Sequence, residues 1–350
     1  MTSDSFSIRD PERVPRPRRS LRAAKPLSAR GASNWLVPIV VLAALAAGCG
    51  NYSNEDLEFM NALPERDVLA VNMPLVTNAL ALAREAELAR TTHDTTRGLN
   101  ALTGSLVAIV DYVRSFSPTA RTDASRIWGP FPNDPKGKNP DWQTRMIVSR
   151  SAQVAGRFDY EIAEHEAATA DTDWPVFVRG FFLGGGSARR GEGHVELLTA
   201  DLRAKGFDVS DLGVLDHLEI DYDTLADPLT ITMDITDLPD AGSTGPAPRA
   251  EYSYRANAAG QGEMTFDLFK NVVPGAAVED LRIHSQWLPS GEGMATLTVV
   301  SGDGMGAQQL ECWDRSFAPT YNDKPFSPGE DVPGNPPGDP APHCPVIPDL

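Results

Sequence analysis

The chain has 350 residues, 31 Lys/Arg against 48 Asp/Glu, and a formal net charge of −17. That balance argues against nucleic-acid binding, which depends on basic side chains to neutralise phosphates, and against an electrostatic hold on anionic lipid. Length alone allows one or two domains, and β-rich folds of this size are often single.

Residues 1–34 carry eight Lys/Arg, and the apolar run Trp35 to Ala47 follows. The run is shorter than the about 20 apolar residues a bilayer span needs. It has the length of the hydrophobic region of a signal peptide. It ends Leu45-Ala46-Ala47-Gly48-Cys49. These five residues resemble the lipobox of bacterial lipoproteins, with leucine one place early and Ala46 where that family has a larger aliphatic side chain. The resemblance implies cleavage after Gly48 and acylation of Cys49, so the membrane becomes a partner through lipid. The alternative is an ordinary signal peptide with an incidental cysteine. Each buried acyl methylene contributes about 0.8 kcal/mol, so several chains would make attachment lasting. The family's inner-membrane proteins usually have Asp after the cysteine. Gly50 stands there, which implies the outer membrane, on its periplasmic or its surface side.

Without residues 1–48 the chain keeps 302 residues and a net charge of −22. The expected organisation is a lipidated tether over 49–54, one helix-plus-sheet domain over 55–325, and a Pro/Gly-rich tail over 326–350. Ser53 followed by Asp56 predicts a capping box and a helix that stops at Pro64. A second helix is predicted from Pro74 to His93, rich in strong helix formers. A third is predicted from Thr95 to Phe116 with Asp94 as its N-cap. On that third segment Leu99, Leu102, Leu106, Ile109, Val110, Val113 and Phe116 recur at three and four, the spacing of one helix face. Few basic residues border the stripe, so it is expected to pack on a sheet rather than on lipid.

From about Arg126 the pattern changes to period two. Leu229 to Asp237, Arg157 to Ile162, Glu263 to Leu268 and His217 to Asp223 alternate apolar with polar, as do Ala250 to Tyr254 and Leu281 to His284. This is the signature of antiparallel strands with one buried and one solvated face, and ten to twelve are expected. Three hairpins share a plan in which Gly-x-Gly opens the return strand: Gly191-Glu-Gly193, Gly260-Gln-Gly262 and Gly291-Glu-Gly293. The weak repeat suggests a meander of consecutive pairings, with glycine serving bulges or positive φ. Residues 240–248 and 326–342 are expected to be irregular.

Chemical motifs are sparse. Gly184 to Gly193 is glycine-rich but leads into a strand, not the helix that a phosphate-binding loop requires. No histidine has zinc-motif spacing, and Glu164-His165-Glu166 places neighbours on opposite strand faces. His217, Glu219, Asp221 and Asp223 share a face, for which a solvated acidic strip is the plainer reading and a weak divalent site, with Asp234, the sharper one. No Gly-x-Ser-x-Gly elbow is present. Trp128, Trp142, Trp174, Trp287 and Trp313 suit either a core or a ligand groove. No catalytic residue, metal ligand set or cofactor is therefore assigned. Cys312 and Cys344 are either a disulfide that pins the tail to the sheet, which an oxidising compartment permits, or an unpaired set in which Cys312 fills core space.

The fold class expected is α+β: N-terminal helices packed on a large curved antiparallel sheet or partly open β-barrel. In architecture alone this is similar to the lipid-handling half-barrel proteins of the bacterial periplasm. The chain's general manner resembles bacterial envelope lipoproteins that offer no function to transfer. The expected function is a non-catalytic structural or interaction lipoprotein with an envelope protein as partner. One alternative is a carrier holding an apolar ligand against Leu99, Leu102, Leu106, Ile109, Val113 and Phe116. A second is an enzyme without a recognisable motif.

Overall fold

A computed structural model describes residues 52–74, 85–169, 174–187, 190–238, 249–270, 279–302, 304–323 and 340–350. The signal segment, Cys49, residues 75–84 of the expected second helix, the loop 240–248 and most of the Pro/Gly-rich tail lie outside the described residues.

Helix α1 (Asn54–Asn61) opens with a reciprocal capping box. The Asp56 N–H donates to Ser53 Oγ, and the Ser53 N–H donates to Asp56 Oδ2, both at 3.1 Å. Asp56 is buried, and it also receives Arg126 and Arg121. Burial alone would raise its carboxyl, yet the hydrogen bonds from Arg126, the Ser53 backbone and Arg121 hold it below the usual range. The fully buried Phe59 ring lies under the guanidinium groups of Arg126 and Arg150 and edge-on to Phe158.

Helix α2 (Glu87–Arg114) is continuous over 28 residues, which corrects the sequence expectation of two helices separated at Asp94. Asp94 lies within the helix and pairs with Arg97. The helix starts earlier because Glu311, 224 residues further along the chain, supplies the acceptors. Its carboxylate takes the N–H of Glu87 at 3.1 Å and that of Leu88. A carboxylate at a helix N-terminus satisfies orphan donors and meets the positive end of the helix dipole. No local pattern announces a partner so distant in sequence.

Fourteen strands form one antiparallel sheet in which each pairs with the next, so spatial order equals chain order. They are β1 (Ala120–Arg121), β2 (Ser125–Pro132), β3 (Trp142–Arg150), β4 (Arg157–Glu166), β5 (Val176–Ser187), β6 (Arg190–Leu198), β7 (Leu215–Asp223), β8 (Leu229–Asp237), β9 (Arg249–Ala256), β10 (Gly262–Lys270), β11 (Glu279–Trp287), β12 (Gly293–Ser301), β13 (Gln308–Trp313) and β14 (Pro319–Asn322). The short helix α3 (Ala200–Ala204) joins β6 to β7. The first and last strands do not pair, so the sheet is open and the chain is mostly β.

One face of the sheet is mostly apolar. In β3 the buried Trp142, Thr144, Met146 and Val148 alternate with more exposed neighbours, and β8 and β11 follow the same rhythm. Side chains of α1 and α2 and this inner face belong to one hydrophobic cluster. Residues of α2 approach β2 at one end of the strand order and β11, β12 and β13 at the other. Thr92 of α2 shares a 2.6 Å hydrogen bond with the buried Ser285 of β11.

The Gly-x-Gly repeat has a steric cause. Gly260 and Gly291 sit at hairpin turns with φ of 89° and 96°. The second glycine of each pair makes room for an aromatic ring on the next strand. A Cβ on Gly193 would lie 2.1 Å from Tyr222, one on Gly262 2.6 Å from Trp287, and one on Gly293 2.4 Å from Trp313. The registers place Gly193 opposite Tyr222, Gly262 opposite Trp287 and Gly293 opposite Trp313. Glycine on one strand and a ring laid across it from its neighbour thus recur along the inner face.

Residues 340–350 run over the outer face. Cys344 is bonded to Cys312 of β13, and the His343 carbonyl accepts from Thr320 of β14 at 2.8 Å. Further on, the Pro348 carbonyl accepts from Gln261, and that of Leu350 from Arg255 of β9 at 3.0 Å. The segment therefore crosses from β13 and β14 to the β9–β10 hairpin.

Two glycine substitutions test this packing. Gly293→Ala should destabilise the protein by about 1–3 kcal/mol, because the indole of Trp313 and the Gln286 carbonyl leave no room. Gly98→Ala meets nothing within 4 Å and should stabilise by about 0.5–1 kcal/mol through helix propensity. Urea midpoints measured side by side give both signs.

Candidate functional site

The apolar residues singled out on α2 are for the most part buried among the protein's own side chains. Leu99, Leu106 and Val113 are buried, and Leu102 and Ile109 pack partly buried against the same cluster. Phe116 stands at the rim, 37% exposed, with its ring 4.6 Å from that of Phe131. Opposite them lie Trp128, Phe266, Trp287 and Trp313, all fully buried. The Trp128 N–H donates to the Phe116 carbonyl at 2.9 Å, and that of Trp313 to Gly291 at 3.0 Å. Trp174 is the exception among the tryptophans of the sheet region: it stacks on His165 and under Arg145.

The polar chemistry lies on the outer face, where side chains of neighbouring strands meet across the ladder. Arg179 of β5 pairs with Glu196 of β6, which also accepts from His217 of β7 at 3.0 Å. The hydrogen bond from Arg179, reinforced by the one from His217, holds the Glu196 carboxyl below its ordinary range. Arg249 of β9 grips Asp234 of β8, and Arg282 of β11 grips Asp267 of β10, the latter with contacts of 2.8 and 2.9 Å. Each pair spans adjacent strands, so the ladder of charges follows the register of the sheet. Two recesses open on this face. One is lined by Arg157, Asp159, Phe181 and His194, the other by Asp221, Thr232, Asp234, Tyr252 and Asp267.

Between these recesses His194, Glu219 and Asp221 form a group of three potential ligands whose donor atoms lie within 4.8 Å of one another. His194 Nδ1 is 2.8 Å from Asp221 Oδ1 and 3.9 Å from Glu219 Oε1. Glu219 and Asp221 were legible in the sequence as two positions of one strand face. His194 was not, because only the register that sets it opposite Asp221 brings it there. The other residues of the predicted strip are engaged elsewhere. His217 holds Glu196, Asp223 Oδ1 accepts the N–H groups of Leu225 and Ala226, and Asp234 holds Arg249.

Like Glu311, Glu164 of β4 is a carboxyl turned inward. It is 4% exposed, accepting from Thr144 at 2.9 Å and from Asn133 at 3.3 Å. Burial raises it to about 7, against the smaller opposing effects of those two hydrogen bonds. It lies on the opposite side of the sheet from the His194 group.

Compared with known proteins, the chain matches no family model, no curated protein and no solved structure.

Glu164 generates a pH prediction. In the folded chain it keeps its proton to about pH 7, whereas unfolding returns it to its ordinary value of 4.5. Between those values the folded state binds the extra proton, so stability falls as pH rises through that window. The contribution is roughly 3 kcal/mol across it. Urea unfolding at pH 5 and pH 8 should show Glu164→Gln losing less stability than the parent between the two.

Proposed function

We propose that this chain is a lipid-anchored protein of a bacterial envelope, held at the outer membrane by acylated Cys49, that acts by interaction and not by catalysis. Its inner surface is an internal core and its outer face is the working surface. The observation that carries the reading is the filled inner face. Trp128, Phe266, Trp287 and Trp313 together with Leu99, Leu106 and Val113 occupy the space where an apolar ligand would lie.

The contacts of α2 with β2 and with β11 to β13 support a sheet curled about the helix, as in a partly open barrel. On that reading the sheet turns its apolar side onto the helix and its charged side to the surroundings. Helix α1 begins at Asn54, five residues beyond Cys49, so an anchored protein would hold this surface close to the lipid. The outward-facing Arg179, Arg249 and Arg282 are already paired across strands with Glu196, Asp234 and Asp267, which suits recognition of a complementary surface more than proton transfer. The perturbed carboxyl of Glu164 lies among core side chains, away from both outer recesses.

Growth of a bacterial host expressing the full chain with radiolabelled palmitate tests the anchor. Label should appear on the protein and vanish in Cys49→Ser, with the labelled form in the outer-membrane fraction. An unlabelled protein recovered in the soluble periplasm would overturn the proposal.

A further inference from the structure

We propose that His194, Glu219 and Asp221 bind a divalent transition-metal ion of the zinc class on the outer face of the sheet. Glu219 and Asp221 are two apart on β7, so they project from the same side, and His194 of β6 faces Asp221 directly. Adjacent strands lie about 4.8 Å apart, which sets the three donors at the corners of a small triangle. In a tetrahedral zinc site with bonds of about 2.0–2.1 Å the ligand atoms lie about 3.3 Å from one another. The observed separations of 2.8 Å and 3.9 Å bracket that value. Small side-chain rotations, with no backbone movement, bring all three to one ion.

The surroundings favour the ion in three ways. Among the described residues no lysine or arginine pairs with Glu219 or Asp221. The nearby cations are committed: Arg249 to Asp234, Arg179 to Glu196 and Arg282 to Asp267. Arg249 acts on Glu219 only through space, its direct contacts going to Asp234 and Glu251, and the group in direct contact with Asp221 is the His194 imidazole. Second, the imidazole is held in place. Its ring stacks on Phe181 at 5.8 Å and 15° and its Nδ1 is 2.8 Å from Asp221, while the strand backbone beneath it is fixed by the Tyr160 hydroxyl donating to the His194 carbonyl. Third, the side chains of His194, Glu219 and Asp221 are 20%, 42% and 58% exposed, so an ion has a route in and keeps positions open to water.

The donor set selects the ion. One imidazole nitrogen and two carboxylates suit zinc, nickel or copper(II). Calcium takes six to eight oxygen ligands and magnesium an octahedron of oxygens, neither of which this trio supplies.

Isothermal titration of the EDTA-stripped full chain in detergent with zinc at pH 7.5 tests the assignment. One zinc per chain is expected to bind. Loss of an outer-shell partner alone weakens metal sites about ten- to a hundredfold, so His194→Ala and Glu219→Gln should each weaken binding at least that much. His217→Ala removes a histidine of the same face that is held by Glu196, and should leave the affinity unchanged. Cobalt bound in place of zinc should give visible absorption that disappears in His194→Ala. Absence of saturable zinc binding would overturn the proposal. So would zinc affinity indifferent to His194→Ala, equal loss in His217→Ala, or displacement of zinc by equimolar calcium.

Discussion

The structure depends on the burial of one face of a very wide sheet. Alternation along the strands turns one set of side chains to each side, and from β2 to β13 the inner set is mostly apolar, with Thr144, Glu164, Ser285 and Glu311 as buried polar exceptions. Such a face is stable in water only when another element covers it. Helix α2 has 28 residues, a length of about 42 Å, and it presents Leu88, Leu99, Leu106, Val107, Val110 and Val113 to the core. Each such side chain contributes about 1.5–3 kcal/mol when fully buried. Its N-terminus is tied to the sheet by Glu311, whose own burial raises its carboxyl against the hydrogen bonds from Leu88 and Glu87. A helix with its first turn bound to β13 and its later turns near β2 relates the two ends of the strand order.

The sheet itself is packed by a rule that repeats. Glycine on one strand opens a seat, and a tyrosine or tryptophan of the next strand fills it. An aromatic ring over a cross-strand glycine restores the packing area that glycine lacks. At one of these seats the buried Trp287 N–H has no acceptor among the described residues. The sheet ends are short: β1 has two residues and β14 has four, beginning at Pro319. Short edges and an edge proline limit pairing with other chains. Beside the β14 edge, the Cys312–Cys344 bond ties residues 340–350 onto the outer side.

Much of this was legible in the sequence where the determinants are local. Period-two alternation placed β4, β7, β8, β9, β10 and β11, and Ser53 with Asp56 marked the start of α1. The Gly-x-Gly repeat pointed to successive hairpins, although its reason, the rings of Tyr222, Trp287 and Trp313, follows only from register. The long-range determinants were not legible. Asp94 looked like a cap because it precedes an amphipathic stretch, while the carboxylate that organises the helix start is Glu311. The outer group shows the same division: Glu219 and Asp221 can be read from spacing along β7, and His194 from no pattern within its own strand. Two-residue β1 carries too few positions for any period to show.

The space between helix and sheet is occupied by the protein's own side chains. Native mass spectrometry of the protein from Gly50 onward, purified from a bacterial periplasm and treated with EDTA, tests it most directly. The expected mass is that of the bare polypeptide less the two hydrogens of the Cys312–Cys344 bond. A stoichiometric mass excess matching a fatty acid or phospholipid, lost on mild activation, would contradict it and make the inner face a binding chamber.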